Sequence, residues 1–284
     1  MLTKLLETIR PLDENAMESA RLHWDAIAKP LHSLGRLEDM IVQLAGICEN
    51  PVPAPRKKAV LIFCADNGIV AEGVTQTTQD VTAAVTQNFA KGIASVNALS
   101  RICGTEVFPV DIGVAQALDC PGVLNRKVAF GTQNFAHGPA MRRDEAEQAV
   151  CTGIDLVQEK AAEGYNLIVT GEMGIGNTTT SSAVFSVLQG LPPEQVTGRG
   201  AGLSDAGLQH KIQVISRAVA ALQPDPGDVL DVLSKVGGFD VCGMMGAFLG
   251  GAICRVPVLE ILWSSRYILL PLIPSGTSQS RGLV

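Results

Sequence analysis

Two kinds of hydrophobic pattern alternate along the chain. Asn15–Ala28 is amphipathic, and Arg36–Cys48 sets Leu37, Met40, Ile41, Leu44 and Ile47 at helical spacing. Between these helices, Lys29–Arg36 is a connector punctuated by Pro30 and Gly35. Pro51, Pro53 and Pro55 make residues 50–55 a linker. The pattern then changes, because Lys58–Cys64 is a continuous apolar run, as in a parallel strand covered on both faces. Asp80–Ile102 predicts one long helix, Glu106–Gly113 a second strand, Asp144–Glu163 a helix, Asn166–Thr170 a third strand and Thr178–Gln189 another helix. Ser204 or Asp205 is expected to cap a helix running to Leu222, and Asp240 one running to Cys254. Strands separated by helices predict an α/β fold with a mainly parallel sheet and right-handed crossovers.

Composition narrows the function classes. The 284 residues are 46% hydrophobic and 4% aromatic, with a net charge of −6. That balance disfavours disorder, and it disfavours a nucleic-acid surface built on phosphate neutralisation and base stacking. Seven cysteines form no Cys-x-x-Cys pair and lie mostly in apolar runs, which predicts reduced core thiols in a reducing cytoplasm. The four histidines signal no metal site. The N-terminus has no apolar core of a signal peptide. Val241–Cys254 is too short to cross a bilayer, so its small residues predict a tightly packed core helix rather than a membrane helix. No Gly-x-Ser-x-Gly elbow supports acyl transfer.

Ligands of parallel sheets bind beyond the carboxyl ends of the strands. Three loops lie there: Ala65-Asp66-Asn67-Gly68, Ile112-Gly113, and Gly171 to Thr180. In the third, Gly171, Gly174 and Gly176 precede Asn177, Thr178 and Thr179 and then a helix. Glycines let the backbone approach a ligand closely, and a helix start carries about half a positive charge. This is phosphate-cradle chemistry, although a glycine-rich turn with a threonine cap would read the same way. Glu172 sits inside that cradle, where a phosphate would repel it. It is either a proton acceptor, a ligand for a cationic or N–H-bearing substrate group, or a solvated loop residue. Gly198-Arg199-Gly200-Ala201-Gly202 precedes the helix carrying Lys211, and Arg199 and Lys211 are candidate anion partners, a solvated lysine being the alternative. Gly237-Gly238 forms a third glycine turn before a helix. Three such helix openings favour a phosphorylated small molecule.

Four collinear segments carry a family likeness: Lys29–Glu38, Cys64-Ala65-Asp66-Asn67-Gly68 with Glu72-Gly73-Val74, Gly171–Thr179, and Lys235–Asp240. Over about residues 10–259 the chain resembles nicotinate-nucleotide–dimethylbenzimidazole phosphoribosyltransferases. The resemblance implies a small helical domain (1–50) and a Rossmann-like domain (56–259), together a homodimer without metal or organic cofactor. It implies transfer of phosphoribose from nicotinate mononucleotide to 5,6-dimethylbenzimidazole, giving α-ribazole 5′-phosphate and nicotinate in cobalamin assembly. Nucleic acid and membrane are not expected partners. By motif position, Glu172 and Lys211 match family active-site residues, and Thr77 falls where the family lines the benzimidazole pocket. Asp66 and the loop residues Gly171, Gly174, Gly176, Asn177, Thr178, Thr179, Arg199, Gly200, Gly202, Gly237 and Gly238 are the expected substrate contacts.

The chain departs from the family pattern in three places. Asn67 stands where the family has histidine, and Val85 where it has glutamine. Beyond Leu259, residues 260–284 match nothing in the family, whose catalytic-base glutamate lies in a Gly-Glu-Gly motif there, and they resemble translation in a shifted frame. The expectation is that the family's fold in most of the chain and binding of nicotinate mononucleotide persist while catalysis is poor or absent. The alternative is a truncated, non-catalytic nucleotide-binding relative.

Overall fold

The computed structural model describes residues 2–260. The elements in chain order are α1 (Leu2–Leu6), α2 (Glu14–Ala26), α3 (Arg36–Cys48), β1 (Lys58–Ala65), a 3-10 turn (Gly68–Glu72), α4 (Asp80–Ala90), α5 (Ser95–Cys103), β2 (Thr105–Gly113) and β3 (Leu124–Asn125). They continue with α6 (Arg143–Ala162), β4 (Leu167–Met173), α7 (Asn177–Gln189), α8 (Pro193–Val196), α9 (Asp205–Leu222), α10 (Val229–Val236), α11 (Phe239–Cys254) and β5 (Val258–Glu260). The expectations for the tail after Glu260 fall outside the described residues.

Five parallel strands lie in the order β3-β2-β1-β4-β5. The unbroken apolar run of β1 has a direct cause. Its Ala59, Leu61, Phe63 and Ala65 enter the main core, while Val60, Ile62 and Cys64 enter a second cluster on the opposite face with Ala83 of α4. Every side chain from Ala59 to Ala65 is therefore taken out of water.

On the main face, α11 lies against α6 at backbone contact. A Cβ at Gly246 would fall 2.0 Å from the Val150 carbonyl oxygen, and one at Gly153 would fall 2.1 Å from that of Gly243. The small residues of α11 thus serve helix packing in the core, and among the described residues no helix is long and apolar enough to cross a membrane.

Several boundaries differ from expectation. The long helix predicted over Asp80–Ile102 is two helices, because Gly92 adopts a positive φ of 74° and ends the first. Asn97 then opens the second, its Oδ1 accepting from Ala94 N at 3.2 Å. Ser204, rather than Asp205, caps α9 by accepting from Gly207 N at 3.1 Å. Asp240 does not cap α11: Gly238 takes that position and Asp240 lies inside the helix, fully buried.

The N-terminal helices α2 and α3 pack through Ala20, Val42 and Ala45, with Met17 and Trp24 beside them. Their connector is clasped by an ion pair between Lys29 Nζ and Glu38 Oε1 at 2.9 Å, with Leu34 N donating to the same oxygen at 3.0 Å. The hydrogen bond from Lys29 holds the Glu38 carboxyl below the usual carboxylate range. The helical spacing of α3 predicts Leu37 and Met40 in its packed stripe, yet they face outward with Leu31 and Leu34, each about half exposed.

Candidate active site

β1 pairs with β2 on one side and β4 on the other, so the topological switch point lies between β1 and β4, and the crevice beyond their carboxyl ends is where ligands of such sheets bind. Backbone contact holds the two loops together. A Cβ at Gly174 would fall 2.1 Å from the Ala65 carbonyl oxygen, and Ile175 N donates to Thr82 Oγ1 of α4 at 3.1 Å. The glycine loop is therefore pinned between β1 and α4.

At one end of the crevice stands Lys211, whose side chain is fully buried. Its Nζ donates to Thr178 Oγ1 at 2.8 Å and to the Gly198 carbonyl at 3.3 Å. Among the described residues no carboxylate lies within ion-pair distance of it. Burial lowers its pKa to about 8. A buried ammonium held only by neutral oxygens has the chemistry to receive an anion, which would supply the charge that the protein omits. The turn beside it needs a small residue: a Cβ at Gly200, whose φ is 55°, would fall 2.9 Å from Thr178 Oγ1. Arg199 is turned away. It is exposed, donates to the Leu203 carbonyl at 3.0 Å and pairs with Asp205. Gly202 receives the Gln76 amide on its carbonyl at 2.6 Å, which ties the 73–79 strap to this turn. Thr77 lies on that strap and is exposed.

The bare helix start inferred at α7 is partly occupied. Thr178 N donates to Asn177 Oδ1 at 2.7 Å, and Asn177 N to the Gly174 carbonyl at 3.1 Å. The groups left to meet an anion here are the Lys211 ammonium and the Thr178 hydroxyl more than free amides. Thr179 is buried, and its hydroxyl has no hydrogen-bond partner among the described residues.

Along the same loop, Glu172 projects from the end of β4 and accepts from the Asn177 amide. It is partly buried, which removes the solvated-loop reading. Desolvation, followed by the negative charge of Asp240, pushes its pKa upward. Asp240 is raised as well, again chiefly by desolvation. Asn67 Nδ2 donates to Asp240 Oδ2 at 3.4 Å, and Thr180 Oγ1 donates to Asn67 Oδ1 at 2.9 Å. The third glycine turn has a different occupant from the one inferred. A Cβ at Gly238 would fall 2.3 Å from Asp240 Oδ1, which itself accepts from Val241 N at 2.9 Å. The protein's own carboxylate fills the start of α11, and Gly237 and Gly238 act by making room for it.

Asp66 is 1% exposed at the end of β1, with Oδ2 accepting from Ala115 N at 2.8 Å. Burial raises its pKa. Nearby, Lys127 neutralises Asp111, with Nζ 2.9 Å from Oδ2. Among the described residues no group of three His, Cys, Asp or Glu side chains forms a metal-binding arrangement. All seven cysteines are free; Cys64 and Cys242 are buried, whereas Cys103 is exposed, against the expectation of core thiols.

The structure thus links Glu172, Asn177, Thr178, Gly200 and Lys211 through successive contacts, while Gly174 and Gly176 pack against the β1 loop and Gly171 lies within β4. Sequence reasoning missed Thr82, Thr180 and Asp240 as parts of this arrangement. Asp240 follows Gly237-Gly238-Phe239, and a carboxylate beside paired glycines was the signal available.

Comparison with known proteins fits this geometry. A family model described as "Phosphoribosyltransferase" matches residues 9–260. A nicotinate-nucleotide–dimethylbenzimidazole phosphoribosyltransferase of Acetivibrio thermocellus is 50% identical over 259 residues, 91% of this chain and 74% of that protein. The protein of that name from Ruminiclostridium cellulolyticum is 49% identical over 254 residues, 89% of this chain and 72% of its own. The crystal structure of CobT from Thermus thermophilus superposes with a TM-score of 0.87 at 37% identity, covering 93% of this chain and 80% of the other. The chain belongs to the nicotinate-nucleotide–dimethylbenzimidazole phosphoribosyltransferase family.

Proposed function

We propose that this protein transfers the phosphoribosyl group of nicotinate mononucleotide to 5,6-dimethylbenzimidazole, forming α-ribazole 5′-phosphate and nicotinate. The observation that carries the reading is the buried Lys211 ammonium, held only by neutral oxygens, within a crevice that also contains Glu172. Lys211 and the Thr178 hydroxyl receive the 5′-phosphate, and the Gly200 turn leaves room for it. The Gly171–Gly176 loop lies along the ribose, and Asp66 and Thr77 border the acceptor.

The bond that breaks joins ribose C1′ to the pyridinium nitrogen, which takes the electron pair and leaves as the neutral ring of nicotinate. The bond that forms joins C1′ to the unprotonated benzimidazole nitrogen, and attack from the opposite face inverts C1′ to the α configuration. The other nitrogen of the resulting benzimidazolium, acidified by the positive charge, then gives up its proton to solvent water. The leaving group is already cationic, so the protein contributes mainly by holding the two reactants in line.

A homodimer in the cytoplasm belongs to the same reading. The outward Leu31, Leu34, Leu37 and Met40 of the N-terminal helices support a self-association surface. Light scattering on the purified chain tests that part.

Incubating the chain with both substrates and separating the products tests the reaction. Equal amounts of nicotinate and α-ribazole 5′-phosphate support it. Saturable nucleotide binding without nicotinate release identifies a non-catalytic relative instead.

A further inference from the structure

Glu172 lies two residues before Gly174, whose added Cβ would fall 2.9 Å from Asp240 Oδ2, so the two carboxylates are neighbours, and no compensating cation is found beside them among the described residues. Asp240 is 0% exposed and is the second residue of α11, so the positive end of that helix lies at its carboxylate. It accepts two hydrogen bonds, from Val241 N at 2.9 Å and from Asn67 Nδ2 at 3.4 Å. Asn67 is oriented for this by Thr180 Oγ1, which donates to its Oδ1 at 2.9 Å. Glu172 accepts from the side-chain amide of Asn177, the first residue of α7, and among the described residues no backbone N–H donates to it.

The charged and titratable neighbours do not change the balance. Asp66 faces Asp240 from the end of β1 and adds negative charge. The Cys64 thiol of β1 lies between Glu172 and Asp111 of β2, and its pKa is pushed up to about 12, chiefly by burial. Lys127 is committed to Asp111, with Nζ 2.9 Å from Oδ2. From α4 the groups are the Thr82 and Thr86 hydroxyls, and from α7 the Asn177 amide. Gly174 preserves the approach, since a Cβ there would fall 2.9 Å from Asp240 Oδ2.

Two neighbouring carboxylates with no cation beside them resist ionising together at neutral pH, and the proton settles on the one with weaker anion stabilisation. We propose that Asp240 is a positioning residue that keeps Glu172 protonated, so that Glu172 meets the substrate as a hydrogen-bond donor and not as a base. The identity of that substrate rests on the reading above, whereas the protonation state of the pair does not.

Carbon-13 NMR of protein labelled at the glutamate carboxyls, with Glu172→Gln to assign the signal, reads the state directly and needs no substrate. The expected result is a Glu172 carboxyl that stays protonated at pH 6 and ionises well above the ordinary glutamate value. In Asp240→Asn the same signal should titrate at least one pH unit lower. Asn67→Ala weakens the hold on Asp240 and should move it in the same direction, which keeps the test open if Asp240→Asn does not fold. An ionised Glu172 at pH 6 in the unsubstituted protein overturns the proposal, as does an unchanged titration in a folded variant.

In turnover, Glu172→Gln should retain at least tenfold more activity than Glu172→Ala, because an amide still donates. Equal loss in the two would show that Glu172 acts as a base. If no variant releases nicotinate, the reading of the reaction fails while the NMR result still decides the carboxyl pair.

Discussion

Lys211 and Thr178 meet at 2.8 Å, joining α9 to the start of α7 through an ammonium that no carboxylate among the described residues neutralises. A buried cation in that condition is costly to the fold and valuable to an anionic ligand. Two predictions separate those effects.

The first concerns stability. The ordinary lysine pKa of 10.5 falls to about 8 in the folded chain because of burial. The unfolded chain therefore holds the proton more tightly, and stability should rise as pH climbs from about 8 to about 10.5. Below that window the full penalty remains. Lys211→Met should be more stable than the unsubstituted protein at pH 7, by on the order of 1–3 kcal/mol, with the gap closing above pH 10. Urea unfolding at the two pH values measures it.

The second concerns binding. Loss of a charged hydrogen bond to phosphate costs about 1.5–3 kcal/mol, so Lys211→Met should weaken nicotinate mononucleotide binding roughly 10- to 100-fold by calorimetry. In the unsubstituted protein the affinity should decline as pH rises past about 8, where Lys211 loses its proton. An affinity independent of pH up to 10 would show that another group carries the phosphate.

The contact of α6 with α11 gives a third prediction. Gly246→Ala would place a methyl group 2.0 Å from the Val150 carbonyl oxygen, where only backbone movement can relieve the clash. Overpacking of this kind costs about 1–3 kcal/mol or more. The thermal midpoint should fall by several degrees without a change in the affinity of the correctly folded fraction.

The connector clasp gives a fourth. Glu38 has a lowered pKa because of Lys29, so its contribution is present above the ordinary glutamate value and is lost as pH falls below it. Glu38→Gln should be less stable than the unsubstituted protein at pH 7, and the difference should shrink towards pH 3. Parallel chemical denaturation of the two proteins checks the convergence.

The sheet could be read from the sequence because β1 is apolar on both faces, and only burial between two layers accounts for that. The split at Gly92 was hidden because the helical spacing continues on either side of one left-handed residue. β3 and β5 are two and three residues long, too short for periodicity to register. α10 follows Pro224 and Gly227 closely and was masked by them. In the candidate site, glycine spacing marked the Gly171–Gly176 and Gly198–Gly202 loops, but it could not show that the opening of α11 is filled by Asp240. Nor could it separate Lys211 from Arg199: both stand near the same turn in sequence, and only packing buries one and leaves the other in solvent.

The most direct measurement is a crystal structure of the protein soaked with nicotinate mononucleotide. The account predicts the 5′-phosphate within hydrogen-bond distance of Lys211 Nζ and Thr178 Oγ1, with the ribose along the Gly171–Gly176 loop. A phosphate bound elsewhere, with Lys211 still held only by Thr178 and Gly198, would contradict it.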